Sequence, residues 1–506
     1  MSSPRAAIPA TDLAAIDIGS NSFRLEIGQL SPGRYKRVEY LKETVRLGAG
    51  LDSNGMLMED AASRGLACLS RFAQRLAGYP KGQVRAVATQ TLREARNRDL
   101  FLARAETVLG HRIEVISGRE EARLIYAGVA RLQPSEQPRL VIDIGGRSTE
   151  MILGQGRTPQ RAESFQVGSV SLSMRYFADG RFTEQAFRKA QVAAGAEFEE
   201  ALVPFARKHW QESLGSSGTA GAVSQLLQAS GITDGAITPE GLRWCMAQCL
   251  KAGRADRLSL PGLKDDRRAV LGGGLAILYT LATHFGIDAL QPARGALRQG
   301  VIFDLDDQRA ASAGRSAGAV SHDMRDASVR DLQQRFEVDT AQAERVQAMA
   351  AKLYAPLAAR DDADPQRHLG WACALHEIGM MVSHHDHHRH SAYLLSHVDA
   401  AGFSQSQQRR LADLVLAQRG GLRKVEQQLA VPAFALQVLC LRLAIIHCHA
   451  RQPVAEDAVA LTLKDRQAVL KVPADWAETH PRTLYLLGEE EAAWEKSGVL
   501  RLVVRS

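Results

Sequence analysis

The chain has 506 residues, 45% hydrophobic and 24% charged, with a formal net charge of +7. This is ordinary globular composition, long enough for roughly two to four domains with sizeable cores. No run of 18 apolar residues occurs and the N-terminal MSSPRAAIPATD has no apolar h-region, so neither membrane spanning nor secretion is expected.

The charge suits a basic groove for an anionic ligand and equally a merely soluble basic protein. No nucleic-acid recognition motif is visible, and no nucleic-acid partner is expected. Six cysteines (Cys68, Cys245, Cys249, Cys373, Cys440 and Cys448) sit in apolar, helix-like contexts without a CxxC pair. They read as reduced core residues of a cytoplasmic protein, with peripheral association with a membrane left open.

Residues 13–28 alternate and carry turn residues at 19–22, which predicts a hairpin. VRAVATQ (84–90) reads as a strand, LFLARAETVLG (100–110) as a helix ending at Gly110, HRIEVIS (111–117) as a strand and EEARLIYAGVARL (120–132) as a helix. A second hairpin begins at 139, and a further strand–helix series runs through GSSGTAGAVSQLL (215–227) and RRAVLGGGLAILYTLATHF (267–285). Strands alternating with helices, opened twice by a similar hairpin, predict two related α/β domains.

DDQRAASAGRSAGAVSHD (306–323) reads as a linker. From about Val329 the spacing is helical, and AVALTLKDRQAVLKVPADW, after Glu456, alternates like strands. The expected boundaries are 1–133 and 134–306 for the two α/β domains, 307–457 for a helical third and 458–506 for a small α+β fourth.

The two hairpins carry the chemistry. IDIGSNSFRLEIG (16–28) and IDIGGRSTEMILG (142–154) share an Ile-Asp-Ile-Gly opening, a polar turn and an apolar return. Gly19, Gly145 and Gly146 let backbone amides approach an anion closely. Ser20, Asn21, Ser22, Ser148 and Thr149 add side-chain donors, as a phosphoryl group with several acceptor oxygens requires. Asp17 and Asp143 close the first strands beside the turns, where a carboxylate can hold Mg²⁺ against the same phosphate. One such turn is an ordinary β-turn. Two in matched order point to one jaw per domain, closing on phosphate in a shared cleft.

These motifs resemble the paired phosphate motifs of the exopolyphosphatase / guanosine pentaphosphate phosphohydrolase family, in the actin-like ATPase superfamily. The likeness continues in ATQTLREARN (88–97), ISGREEARLIYAGV (116–129), GSSGTAGAVSQ (215–225), LPGLKDDRRAVLGGGLAIL (260–278), GALRQGVIFDL (295–305) and ALHEIGMMVSHHDHHRHSAYLL (374–395). It spans nearly the whole chain and looks most like the family's long bacterial form.

The resemblance implies two actin-like (ribonuclease H-like) domains, an all-helical HD-like domain and a small α+β domain. It also implies Mg²⁺-dependent, processive hydrolysis of terminal orthophosphate from inorganic polyphosphate, stimulation by a monovalent cation such as K⁺, and a homodimer. Guanosine pentaphosphate hydrolysis to the tetraphosphate by the same residues remains open. So do a low-turnover polyphosphate- or alarmone-binding module and an ATPase or sugar kinase, the last suggested by LGGGLA (271–276), which resembles an adenine-side glycine turn.

Residue by residue, Glu121 matches the family's general base, although by charge pattern alone Glu120 and Glu121 read as acidic residues at a helix N-terminus. Asp143 and Glu150, with Asp17, are the expected Mg²⁺ ligands. Arg93 and, more weakly, Arg267 are expected phosphate contacts. The family's usual third glycine in the second motif is Arg147 here. If that position needs positive φ, the side chain costs stability or blocks the site; if not, it adds a guanidinium beside the phosphates. Eight of the fifteen histidines lie between His368 and His397. With His376-Glu377 where an HD site would have His-Asp, the cluster reads as structural.

Overall fold

The structure is a computed structural model, and it describes residues 9, 11–31, 34–312, 323–358, 363–452 and 459–505. The chain forms two compact units, Met1–Ala313 and Gly314–Ser506.

The first unit holds two five-stranded sheets built on one plan. In the first lobe, β1 (Asp12–Ile18), β2 (Ser22–Ser31), β3 (Arg34–Thr44), β4 (Val84–Ala88) and β5 (Ile113–Val115) lie in the order β3-β2-β1-β4-β5. In the second lobe, β6 (Arg139–Ile144), β7 (Thr149–Gln155), β8 (Thr158–Phe165), β9 (Glu212–Gly215) and the two-residue β10 (Gln291–Pro292) repeat it as β8-β7-β6-β9-β10. Each sheet begins with an antiparallel meander and continues with parallel strands.

The repeat extends to detail. The glycine closing each motif, Gly28 and Gly154, sits at a register shift. A methyl group on either would meet a tyrosine ring, Tyr35 at 2.4 Å or Tyr126 at 2.3 Å. Both predicted hairpins are therefore present. Each has a third strand the sequence reading left unassigned, and the predicted 111–117 strand shrinks to Ile113–Val115.

Two helices, Gly118–Leu132 and Leu297–Ser312, share a core with both sheets: Leu13, Ala15, Val141, Ile152, Ile125, Val129, Val301 and Ile302 belong to one buried cluster. The helices approach so closely that a methyl on Gly300 would lie 1.7 Å from the Leu124 carbonyl oxygen, and one on Gly128 2.4 Å from that of Ala296. Here glycine is required for want of space. A buried ionic network adds to the seam. Asp304 accepts from Arg123 at 2.7 Å and from Arg85, while Arg123 also forks onto Glu120. The two guanidiniums hold the Asp304 carboxyl down at about 2 despite burial.

Two expectations are corrected. The glycines of LGGGLA form no turn; they lie mid-helix in Asp265–Phe285. A methyl on Gly273 would be 2.6 Å from the Ser169 carbonyl oxygen and one on Gly274 2.7 Å from Thr219, so these glycines serve close packing. The expected linker at 306–323 is helical as far as Ser312, and 313–322 lie outside the described residues.

The second unit is largely helical, from Met324–Arg335 through Pro432–His447 to Pro481–Ser497. A three-stranded sheet of Ala460–Lys464, Gln467–Lys471 and Arg501–Arg505 shares its core: Val438, Leu441, Leu461, Leu470, Leu487 and Trp494 lie in one cluster. All six cysteines are free and buried. His368, His376, His387 and His388 are buried with their pKa values lowered, chiefly by desolvation. His376 Nδ1 lies 2.7 Å from the Cys373 carbonyl oxygen. Among the described residues no group of three or more His, Cys, Asp or Glu could hold a metal ion.

Candidate active site

The hairpin register places the charged residues. On β1–β2, Asp17 faces Arg24 across the ladder; on β6–β7, Asp143 faces Glu150. The turns between these strands, 19–21 and 145–148, come from different lobes yet touch. A methyl on Gly146 would lie 3.3 Å from Ser20 Cβ and 3.6 Å from Asn21 Cβ. Each turn is braced. Ser20 accepts from the Gly48 amide at its carbonyl and from Thr91 Oγ1 at its hydroxyl. The Gly145 amide bonds the Ser148 carbonyl at 2.9 Å, and the Gly145 and Gly146 carbonyls accept from the first amides of the helix Ser169–Tyr176.

Glu121 stands in the first turn of the helix Gly118–Leu132, capped by Ser117. Gly118 allows this helix start to approach β8, since a methyl there would be 2.4 Å from Ser164 Cβ. Ser164 in turn donates to Glu150 Oε1 at 2.8 Å. Glu121 accepts from Arg93 Nη1 at 2.8 Å. It is 7% exposed, and burial, opposed by Arg93 and aided by Asp17 and Asp143, raises its pKa to about 7. Burial raises Asp143 to about 6 against a hydrogen bond from Ser216, and burial and Glu121 raise Glu150 well above the ordinary carboxylate range.

Like charges directly opposed across a ladder repel, so Asp143 and Glu150, with Asp17 and Glu121 near, disfavour one another's ionised forms. Mg²⁺ typically takes one or two protein carboxylates plus substrate phosphates. Asp143 and Glu150, opposed on β6–β7 with Asp17 near, offer such a pair, and among the described residues no group of three or more could hold a metal ion by itself.

Cations line the same cleft. Arg24 donates to Asp17 Oδ2 at 2.9 Å and Arg298 lies 3.7 Å from it. Arg267 comes beside Arg24 at the start of the helix Gly218–Ala229, where a methyl on Gly218 would be 2.6 Å from Arg267 Nη2 and 3.5 Å from Arg24 Nη2. Burial and Arg24 lower the pKa of Arg267; burial and Arg267 lower that of Lys42. Mutual repulsion among Arg24, Lys42 and Arg267 favours a polyanion.

Ser20, Asn21, Ser22, Gly145, Gly146 and Ser148 are thus brought together with Glu121, Asp17, Asp143, Glu150 and Arg267. Three expected phosphate contacts are used differently. Thr149 is fully buried and its hydroxyl donates to the Val167 carbonyl. Arg93 spends its fork on Gln90 and Glu121. Arg147 is not at positive φ, so its backbone carries no such strain, and its guanidinium is engaged by Glu94. Arg24, Lys42, Arg298, Gln90 and Glu94 went unrecognised in the sequence. Arg24 had a signal, because period-two alternation places it opposite Asp17.

A duplicated sheet–helix unit whose lobes contribute one donor-rich turn each to an acid- and arginine-lined cleft defines a phosphate-handling protein of the actin-like class. The model of the Ppx/GppA phosphatase family matches residues 27–309, and that of Ppx/GppA phosphatase domain III matches 324–491, so the chain belongs to the Ppx/GppA family. Among solved structures it is similar to the Aquifex aeolicus PPX-GPPA enzyme, at 26% identity over 58% of this chain and 99% of that one, with a TM-score of 0.50. It is similar too to an exopolyphosphatase from Cytophaga hutchinsonii, at 26% identity over 58% and 98%, with a TM-score of 0.51. Among the described residues no helix is long and apolar enough to cross a membrane.

Proposed function

We propose that this phosphatase-family chain is an exopolyphosphatase that removes terminal orthophosphate processively from linear inorganic polyphosphate. The observation that supports this most is the contact between the turns 19–21 and 145–148 of the two lobes, with Glu121 coupled electrostatically to Asp17 and Asp143, which precede those turns. Turn amides and the hydroxyls of Ser20, Ser22 and Ser148 would grip the terminal phosphate, while Arg24, Lys42 and Arg267 would hold the following negative charge. Glu121, ionised and aligned by Arg93, takes a proton from the attacking water. The new P–O bond forms as the terminal phosphoanhydride P–O bond breaks, and the electron pair leaves on the shortened chain. Asp143 and Glu150, with Asp17 beside them, would hold Mg²⁺ together with substrate phosphate, and when bound it would supply positive charge to offset that of the phosphate oxygens and the leaving chain. The helical second unit is proposed as an HD-like domain followed by the small α+β domain.

Phosphate release from long polyphosphate, with and without Mg²⁺ and alongside guanosine pentaphosphate, tests this. Mg²⁺-dependent release, faster from polyphosphate, is expected. Turnover of guanosine pentaphosphate alone would move the assignment to the alarmone with the same residues in the same roles. Turnover of neither would end the hydrolase reading.

A further inference from the structure

Arg147 belongs to the second-lobe turn, yet among the described residues its guanidinium bonds only to the first lobe. Nε and Nη2 fork onto Glu94 Oε2 at 3.1 and 2.6 Å, and Nη1 donates to the Gly48 carbonyl at 3.2 Å. The route is fitted to it. A methyl on Gly48 would lie 2.8 Å from Arg147 Cδ, and one on Gly168 would lie 2.3 Å from the Arg147 amide nitrogen.

Glu94 carries the connection inward. Its Oε1 accepts from Gln90 Nε2 at 2.6 Å, and Gln90 Oε1 accepts from Arg93 Nε and Nη2 at 2.9 and 2.6 Å. Arg93 Nη1 then reaches Glu121 Oε2 at 2.8 Å. Five side chains thus run in unbroken file from the second phosphate turn to the residue placed as general base. Glu94, Gln90 and Arg93 share one short helix, Gln90–Glu94, of five residues, which has little rigidity of its own. A network of this kind holds its geometry only while each member is satisfied.

We propose that Arg147 is a positioning residue: by bracing Glu94 and Gln90 from across the cleft, it fixes Arg93 and so aims Glu121 when the two lobes stand in this arrangement. The base is then aligned by the lobe opposite its own, and lobe register and chemistry are linked. This rests on the reading of Glu121 as the base of a polyphosphate hydrolase.

The test uses the full chain with long polyphosphate and Mg²⁺, comparing Arg147→Gly, Arg147→Lys, Glu94→Gln and the double variant Arg147→Gly/Glu94→Gln. Misaiming a base by a fraction of an ångström predicts a fall in kcat of about 10-fold for Arg147→Gly and for Glu94→Gln, with KM nearly unchanged. The double variant should be no worse than either single change, because both cut one connection. Arg147→Lys, able to reach one carboxylate oxygen without the fork, should recover part of the loss.

A raised KM with kcat preserved in Arg147→Gly would make Arg147 a direct phosphate contact and overturn the proposal. So would multiplicative losses in the double variant, or a faster Arg147→Gly enzyme. Should Arg147→Gly fail to fold, the near-isosteric Glu94→Gln decides alone by the same kcat criterion. Wild-type turnover separates the two readings: if the wild type hydrolyses no phosphate substrate, the functional reading falls. Hydrogen exchange of amides 145–149 in Glu94→Gln then still judges the brace, faster exchange supporting it and unchanged exchange removing it.

Discussion

Glu121 is the residue on which the proposed chemistry turns, and its surroundings pull in two directions. Burial and the neighbouring Asp17 and Asp143 disfavour its charge, Arg93 favours it, and the balance lies near pH 7. A general base works only when ionised. For the free enzyme kcat/KM should therefore rise with pH along an acid limb whose midpoint is about 7, far above an exposed carboxylate. A pH–rate profile that is flat from about pH 5.5 upward would remove Glu121 as the titrating base. At this scale the sequence exposed what local order could expose: Asp17, Asp143 and the turn donors follow from two matched motifs, and Glu121 from the resemblance. Glu94 and Lys42 stayed hidden because Arg147 and Asp266, which meet them, come from the other lobe, and Gln90 because it matters only as the link between Arg93 and Glu94. The engaged state of Arg93 and Arg147 was equally invisible, since a guanidinium's partner is fixed only when the chain folds.

At the scale of elements, register did most of the work that spacing could not. The hairpins were legible because alternation and a glycine turn coincide. β3 (RYKRVEYLKET) was not, because it lies at a sheet edge with no residue fully buried and so shows no apolar face. Glycines misled where they serve packing, as in LGGGLA, whose three glycines a turn and a helix crossing explain equally well until neighbours are known. The same reasoning isolates Gly300, whose helix meets Gly118–Leu132 with no room for a methyl group. Gly300→Ala should destabilise the first unit by about 3 kcal/mol through overpacking, read as a lower Tm and denaturation midpoint. An unchanged Tm would mean that the two helices separate without cost.

At the scale of the molecule, duplication explains the architecture. One sheet plan is used twice, and the helices Gly118–Leu132 and Leu297–Ser312 share a core with both copies, which keeps the two turns in contact. The two-domain reading of the first unit was available from the sequence because the repeat is written in the motifs. The shared core of the second unit was not, because helices and strands there carry separate patterns and only packing unites them. The most direct measurement of the central claim compares wild type and Glu121→Gln for equilibrium binding of long polyphosphate and for phosphate release from it. Binding should be retained, since both turns and the arginines remain, while release should fall by a factor on the order of 10² to 10⁴. Wild-type release from Glu121→Gln, or loss of binding together with release, would contradict a cleft in which two lobes grip the chain end while Glu121 activates water.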